Sequence, residues 1–274
     1  VVLPPVEADK DPAVLLRSLS QHAVTHLVAV PSLLHTLLEL SAAGGESQQL
    51  VLRSLICSGE TLQSDVLQQI RQQLPACLLF NTYGTTETWD ATVYSSQVSD
   101  LRSGKAPIGK PLPGVSCWVL DQQLHPLPQG VWGELHIGGI GLPLAYVGAA
   151  AATPLFVRSQ DPLVPDIDLY PSGDLVRWNA NGELEIGGRC DRQINVRGFR
   201  MEPAEIERQL AAHPDVSQAA VHTGIDKTGR EHVLAYLVPV QDGNEVSELV
   251  LQEFLRGWLP DLIVPTVFVW LQAL

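Results

Sequence analysis

The sequence predicts an α/β chain in three successive styles. A parallel sheet with flanking helices covers residues 1–104, a small distorted antiparallel β-barrel covers 105–190, and a small α+β C-terminal domain covers 191–274. Three observations carry this reading. Strands alternate with helices of ten to fifteen residues in the first part, which implies right-handed crossovers and a parallel sheet. From about residue 105 the apolar runs are short and broken by Gly and Pro. After Arg189 a helix, two strands and a second helix form a unit large enough for its own core, so a boundary lies close to Asp191.

Residues 11–22, "DPAVLLRSLSQH", place apolar side chains at 14, 15, 16 and 19, a helical stripe with Asp11 as N-cap and Pro12 at the first helical position. "THLVAVP" reads as a buried strand, "SLLHTLLELSA" as a helix, "LRSLICSG" as a strand, "LQSDVLQQIRQQLP" as a third helix and "ACLLFN" as a strand. In the second part "GVSCWVLD", "GELHIGG" and "DLVRWNANGELEIGG" are short strands, with Asn181-Gly182 the strongest hairpin signal in the chain. In the third, "EPAEIERQLAAH" and "VSELVLQEFLRGWLP" are helices, while "VSQAAVHTG", "HVLAYLVPV" and the terminal "VFVWLQAL" are strands. Both "CSGE" and "NTYGTTE" fall at carboxyl ends of strands, where ligands sit in open α/β sheets.

Composition narrows the function classes. The chain has 274 residues with 17 Lys+Arg against 30 Asp+Glu, a net charge of −13 that repels polyanions, so no nucleic-acid partner is expected. Any anion must be held by local geometry. Cys57, Cys77, Cys117 and Cys190 are widely spaced, without a CxxC pair or a flanking His cluster, and read as reduced thiols of a cytoplasmic protein. No apolar run reaches the roughly 18 residues that cross a bilayer, and the N-terminus lacks a basic signal-peptide start, so no membrane partner is expected.

The stretch "NTYGTTE", residues 81–87, gathers Asn81, Tyr83, Thr85, Thr86 and Glu87 around Gly84. Hydroxyls, a ring and one carboxylate after an apolar strand can be a plain turn capped by Thr and Asn, or a place that holds a phosphorylated, metal-bound molecule. Asp174 and Arg189 can be a surface ion pair of small value, or a clamp for sugar hydroxyls. "GGIGL" is no dinucleotide fingerprint, because Leu144 stands where the third glycine is needed. Gly104-Lys105 and Gly109-Lys110 lack the remaining residues of a phosphate-binding P-loop.

"NTYGTTE", "GELHIGGIGL", "YPSGDLVRW", "GRCDRQINVRGFR" with "EPAEIE", and "LPDLIVP" occur in the order and at the spacing of adenylation domains of nonribosomal peptide synthetases. These domains fall within the AMP-forming acyl-CoA synthetase superfamily. The chain resembles the C-terminal part of such a domain over essentially its whole length. The resemblance implies residues 1–190 of the large adenylation core and a small mobile C-terminal subdomain from 191. It also implies ATP and Mg²⁺ as cofactors, with phosphopantetheine on a partner carrier protein.

In those terms Glu87 holds Mg²⁺, Thr86 donates to the α-phosphate, Tyr83 stacks on adenine, and Asn81 meets the base edge beside Gly84 and Gly59. Asp174 and Arg189 clamp the ribose. Asp191 resembles the hinge of the small domain, and Arg197-Gly198 the loop of the thioester-forming state. Val28, Ile56, Ser58, Thr82, Trp89 and Asp90 take the places that line the acyl pocket. Their small and apolar character with one carboxylate implies a small amino acid, and the set is similar to those of domains that take β-alanine. Carrier docking would involve a peptidyl carrier domain and neighbouring megasynthase domains.

The resemblance also implies parts outside the sequence. A phosphate loop and an aromatic helix would precede residue 1, and a lysine-bearing segment would follow Leu274, so the chain alone is expected to adenylate poorly or not at all. Within it, Leu144, the run "GAAAATPLF", Asn195 and Thr85 depart from the usual pattern. Two other readings of the same residues are a free-standing acyl-CoA ligase for a carboxylic acid and a degenerate module that binds only nucleotide or a partner.

Overall fold

Asp11 accepts a hydrogen bond from Ala13 N at 2.8 Å and Pro12 pre-sets the first turn, so α1 (Pro12–Gln21) begins where its capping residues dictate. The computed structural model describes residues 1–9, 11–44, 50–95, 106–143, 156–196, 199–225, 231–240 and 246–274. It divides into two compact units, 1–190 and 191–274.

In the first unit β1 (His26–Ala29), α2 (Pro31–Gly44), β2 (Ser54–Cys57) and α3 (Ser64–Gln73) alternate as the periodicity requires. β3 (Leu78–Thr85) follows, and β1, β2 and β3 are parallel neighbours. One face of these strands, with Leu55, Cys57 and Leu79, packs on Leu34 and Leu38 of α2 and on Val66, Leu67 and Ile70 of α3.

The sheet is not purely parallel. β3 runs on through the motif to Thr85 and turns back at once into β4 (Trp89–Ser95), which pairs with it antiparallel, and β5 (Lys110–Pro111) extends the sheet in the same sense. Gly84 permits the tight return: an added Cβ would stand 1.6 Å from the Trp89 carbonyl oxygen. The strand runs four residues beyond its expected end at Asn81, because the polar residues that follow find a pairing partner in β4.

β6 (Val115–Leu120), β7 (Gly133–Gly139), β8 (Tyr170–Trp178) and β9 (Leu184–Arg189) form an antiparallel meander in that order. Among the described residues its last strand also bonds back toward β5, Leu184 N donating to Gly109 O at 2.7 Å and Ile108 N to Leu184 O at 2.8 Å, so the antiparallel part curls on itself as the expected distorted barrel does. One face packs on the returning hairpin of the first sheet, with Val119, Leu135, Ile137, Val176 and Leu184 against Ala91, Ile108 and Tyr83. Gly182 (φ +68°) makes the β8–β9 turn, and Asn179 organises it, its Oδ1 accepting from the N–H groups of Asn181 and Glu183.

The second unit comprises β10 (Ile194–Val196), β11 (Phe199–Met201), α4 (Pro203–Ala211), β12 (Val216–Ile225), β13 (Glu231–Pro239), α5 (Glu248–Arg256) and β14 (Val267–Trp270). β12 and β13 pair antiparallel, and β14 joins β13 parallel. Ile206 and Leu210 of α4 and Leu251 and Leu255 of α5 cover this sheet at Val221, Val233, Ala235 and Leu237. Among the described residues no helix is long and apolar enough to cross a membrane.

Candidate functional site

Successive side chains of a strand point to opposite faces, and β3 uses this to sort the predicted residues. Asn81 and Tyr83 lie on one face, Phe80 and Thr82 on the other. Asn81 is buried; its Nδ2 donates to Pro107 O at 2.9 Å, while its Oδ1 has no hydrogen-bond partner among the described residues. A buried acceptor without a donor is costly, and Asn81 Oδ1 is one on the face of β3 that also carries Tyr83.

Tyr83 OH donates to Asp174 Oδ2 at 2.5 Å, and Arg189 Nη1 donates to Asp174 Oδ1 at 2.8 Å. Arg189 Nη2 also donates to Ser172 O at 3.2 Å. Asp174 and Arg189 are direct cross-strand partners in β8 and β9, so their pairing follows from register. Their side chains are only 9% and 18% exposed, which takes the pair out of the class of surface ion pairs. Burial, and then the negative charge of Asp174, hold the Tyr83 phenol well above the usual tyrosine range, so it remains a donor.

Asp174 sits on a bulge. Glu134 of β7 faces Leu175, but His136 faces Pro171, so β8 carries two extra residues there. Gly173, at φ +74°, makes the bend, and its N–H donates to Glu134 Oε1 at 3.0 Å. Asp174 N donates to Ser172 Oγ at 3.1 Å, and Cys190 N donates to Gly173 O at 2.8 Å. The buried His136 next to Glu134 has its pKa lowered by desolvation, although Glu134 opposes the shift.

Thr86 is exposed and Glu87 half-buried on the turn between β3 and β4. Thr88, which the sequence reading passed over, fixes that turn: its Oγ1 accepts from Thr85 N at 3.2 Å and donates to the Trp89 carbonyl at 3.3 Å. Trp89 has φ +56° and is 81% exposed, an unusual backbone for a bulky residue. Among the described residues no three His, Cys, Asp or Glu side chains converge as a metal cage. One carboxylate beside a hydroxyl fits a Mg²⁺ ion that completes its shell with phosphate oxygens and water.

Val28, Ile56 and Phe80 stand in one register row across the three parallel strands, on the face away from α2 and α3. Thr82 continues the row along β3, and its buried hydroxyl has no partner among the described residues. Val28 is 68% exposed. Phe80 belongs to this set, and nothing in the strand "ACLLFN" marks its face until the register is known. Ser58 and Gly59 (φ +84°) follow β2 on a loop held by Glu60, whose carboxylate accepts from Ser32 N at 2.8 Å and from Ser32 Oγ at 2.9 Å. Asp90 is half-buried at the start of β4, opposite Gly84. Asp191 opens the second unit, its Oδ1 accepting from Gln193 N at 3.0 Å. Arg197 and Gly198 lie outside the described residues.

Comparison with known proteins adds independent findings. Residues 1–147 match the model of the AMP-binding enzyme family, and residues 205–274 match that of the AMP-binding enzyme C-terminal domain. CymA of Salinispora arenicola (strain CNS-205), a probable non-canonical nonribosomal peptide synthetase, is 41% identical over 254 residues, which are 92% of this chain and 3% of that protein. Tyrocidine synthase 3 of Brevibacillus parabrevis is 36% identical over 276 residues, 100% of this chain and 4% of that protein. The structure of PA1221, an NRPS protein containing adenylation and PCP domains, matches with a TM-score of 0.78 at 25% identity, over 99% of this chain and 52% of that one. The chain thus spans a small part of the curated relatives and about half of the solved one.

Proposed function

Because this chain belongs to the AMP-binding enzyme family, matched over residues 1–147, we propose that it is part of an ATP-dependent adenylation domain of a nonribosomal peptide synthetase. The domain activates a small amino acid as its aminoacyl-AMP, releases pyrophosphate, and passes the aminoacyl group to the phosphopantetheine thiol of a carrier protein. The observation that carries this reading is the Tyr83–Asp174–Arg189 arrangement, in which a ring, a carboxylate and a guanidinium from three strands meet beside the Asn81 acceptor.

Asp174 accepts the ribose hydroxyl protons, Arg189 holds Asp174 ionised and oriented, and Tyr83 offers its ring to adenine while Asn81 Oδ1 accepts from the base edge. The Gly59 backbone and Gly84 allow close approach of the nucleotide. Thr86 donates to the α-phosphate, and Glu87 holds Mg²⁺. The ion supplies neutralisation of phosphate charge when bound. A substrate carboxylate oxygen attacks the α-phosphorus, the bond to the bridging oxygen breaks, and pyrophosphate leaves.

The face bearing Val28, Ile56, Phe80 and Thr82, with Ser58, Trp89 and Asp90 at the strand ends, supports a small substrate whose ammonium group meets Asp90; β-alanine fits this set. Asp191 is the proposed hinge, and Arg197 and Gly198 the loop used when the thiol attacks. The relative PA1221 contains adenylation and PCP domains in one protein, which supports a carrier domain as partner.

Substrate-dependent exchange of labelled pyrophosphate into ATP by the full-length protein tests the reading, with α-amino acids, β-alanine and simple carboxylic acids compared. Exchange with one small amino acid, reduced roughly 10²-fold or more in Glu87→Gln, is the expected result. Exchange only with acids that lack an amino group identifies an acyl-CoA ligase instead. A folded protein that exchanges with none is a binding module.

A further inference from the structure

We infer that Glu134 is a positioning residue of the nucleotide site, acting through Gly173 to hold Asp174 in place; the inference rests on the functional reading above. Between Glu134 and His136, β7 advances two residues while β8 advances four, from Leu175 to Pro171. Ser172, Gly173 and Asp174 therefore lie opposite Leu135 alone, and the backbone groups of that stretch need partners outside the ladder. Ser172 Oγ accepts from Asp174 N, and Gly173 O accepts from Cys190 N. Gly173 N, turned by a φ of +74° that favours glycine, donates to Glu134 Oε1 at 3.0 Å.

This charge-assisted bond is the described side-chain contact that ties the bend in β8 to its neighbour β7. One residue further on, Asp174 directs one carboxylate oxygen to Tyr83 and the other to Arg189. Tyr83 and Arg189 thus fix where the Asp174 carboxylate points, and Glu134 fixes where its backbone stands. The Glu134 side chain is 32% exposed, so water can replace it as acceptor when it is removed. The bulge then relaxes without unfolding, and Asp174 moves away from the geometry that serves ribose.

Calorimetric ATP binding to the full-length wild type, Glu134→Ala and Glu134→Gln tests this, with thermal unfolding and the amino-acid KM in pyrophosphate exchange as companion readouts. Glu134→Ala should weaken ATP binding roughly tenfold while the amino-acid KM stays within about twofold, and Glu134→Gln, which keeps an acceptor oxygen, should restore most of the affinity. Equal ATP affinity in wild type and Glu134→Ala overturns the inference and leaves the functional reading standing. Parallel loss of ATP affinity, amino-acid KM and melting temperature without rescue by Gln overturns it in favour of a purely structural role. A wild type that binds no ATP overturns the functional reading and the inference with it.

Discussion

The Tyr83 hydroxyl and the Asp174 carboxylate, 91 residues apart in sequence and on different sheets, meet at 2.5 Å. The bond joins the returning hairpin of the first sheet to the bulge of the second. Replacing Tyr83 with Phe keeps the ring and removes the donor. A hydrogen bond to a charged group contributes about 1.5–3 kcal/mol, so Tyr83→Phe should raise the KM for ATP by roughly tenfold or more with little change in the amino-acid KM. Because Tyr83 is held well above its usual range, wild-type ATP affinity should show no loss as pH rises through the ordinary tyrosine pKa.

Gly84 is required for space, not for backbone conformation. A Cβ there meets the Trp89 carbonyl oxygen at 1.6 Å and its carbon at 2.5 Å, both backbone atoms that cannot swing aside. Gly84→Ala should open the turn carrying Thr86 and Glu87, lowering the melting temperature and abolishing pyrophosphate exchange. Gly182→Ala, with nothing within 4 Å but a φ of +68°, should cost only about 1–2 kcal/mol and leave exchange intact. Thermal unfolding and exchange assays on both variants separate the two cases.

His136 links the same sheet to pH. Burial lowers its pKa from the usual 6.5, so below that value the unfolded chain binds a proton that the folded chain takes up only at lower pH. Stability contributed by the neutral imidazole is fully present above the unfolded pKa and is lost as pH falls toward the folded one. Melting temperature should fall as pH drops below the usual histidine value of 6.5, and His136→Gln should flatten that slope.

Thiol reactivity checks the placement of the strands. Burial pushes the Cys57 and Cys117 thiols up to about 12, Cys57 with a further contribution from Cys77, whereas Cys190 is exposed. An aromatic disulfide reagent near pH 8 should modify Cys190 first, and Cys57 and Cys117 only after denaturation. Rapid native labelling of Cys57 contradicts its position beneath α2 and α3.

Local chemistry made much of the fold legible. The Asp11 cap with Pro12, the alternation of strands and helices, and the glycine-bearing turn at 182 each act over a few residues. What was not legible depended on partners distant in sequence. The polar run after Phe80 reads as loop until Trp89–Ser95 is known to pair with it. In the candidate site, Asp174 and Arg189 looked like a surface pair because their burial comes from the bulge and from Tyr83. Glu134 and Thr88 act by holding backbone, a role with no side-chain signature. Phe80 joins Val28 and Ile56 only through register.

The most direct test of the central claim, that Asp174 receives the ribose hydroxyls of a nucleotide, compares the affinities of ATP and 2′,3′-dideoxy-ATP for the full-length wild type and Asp174→Asn. The account predicts that the wild type prefers ATP by at least roughly tenfold, the equivalent of one hydrogen bond to a charged group, and that the preference largely disappears in the variant. Equal binding of the two nucleotides by the wild type, or an undiminished preference in Asp174→Asn, would contradict it.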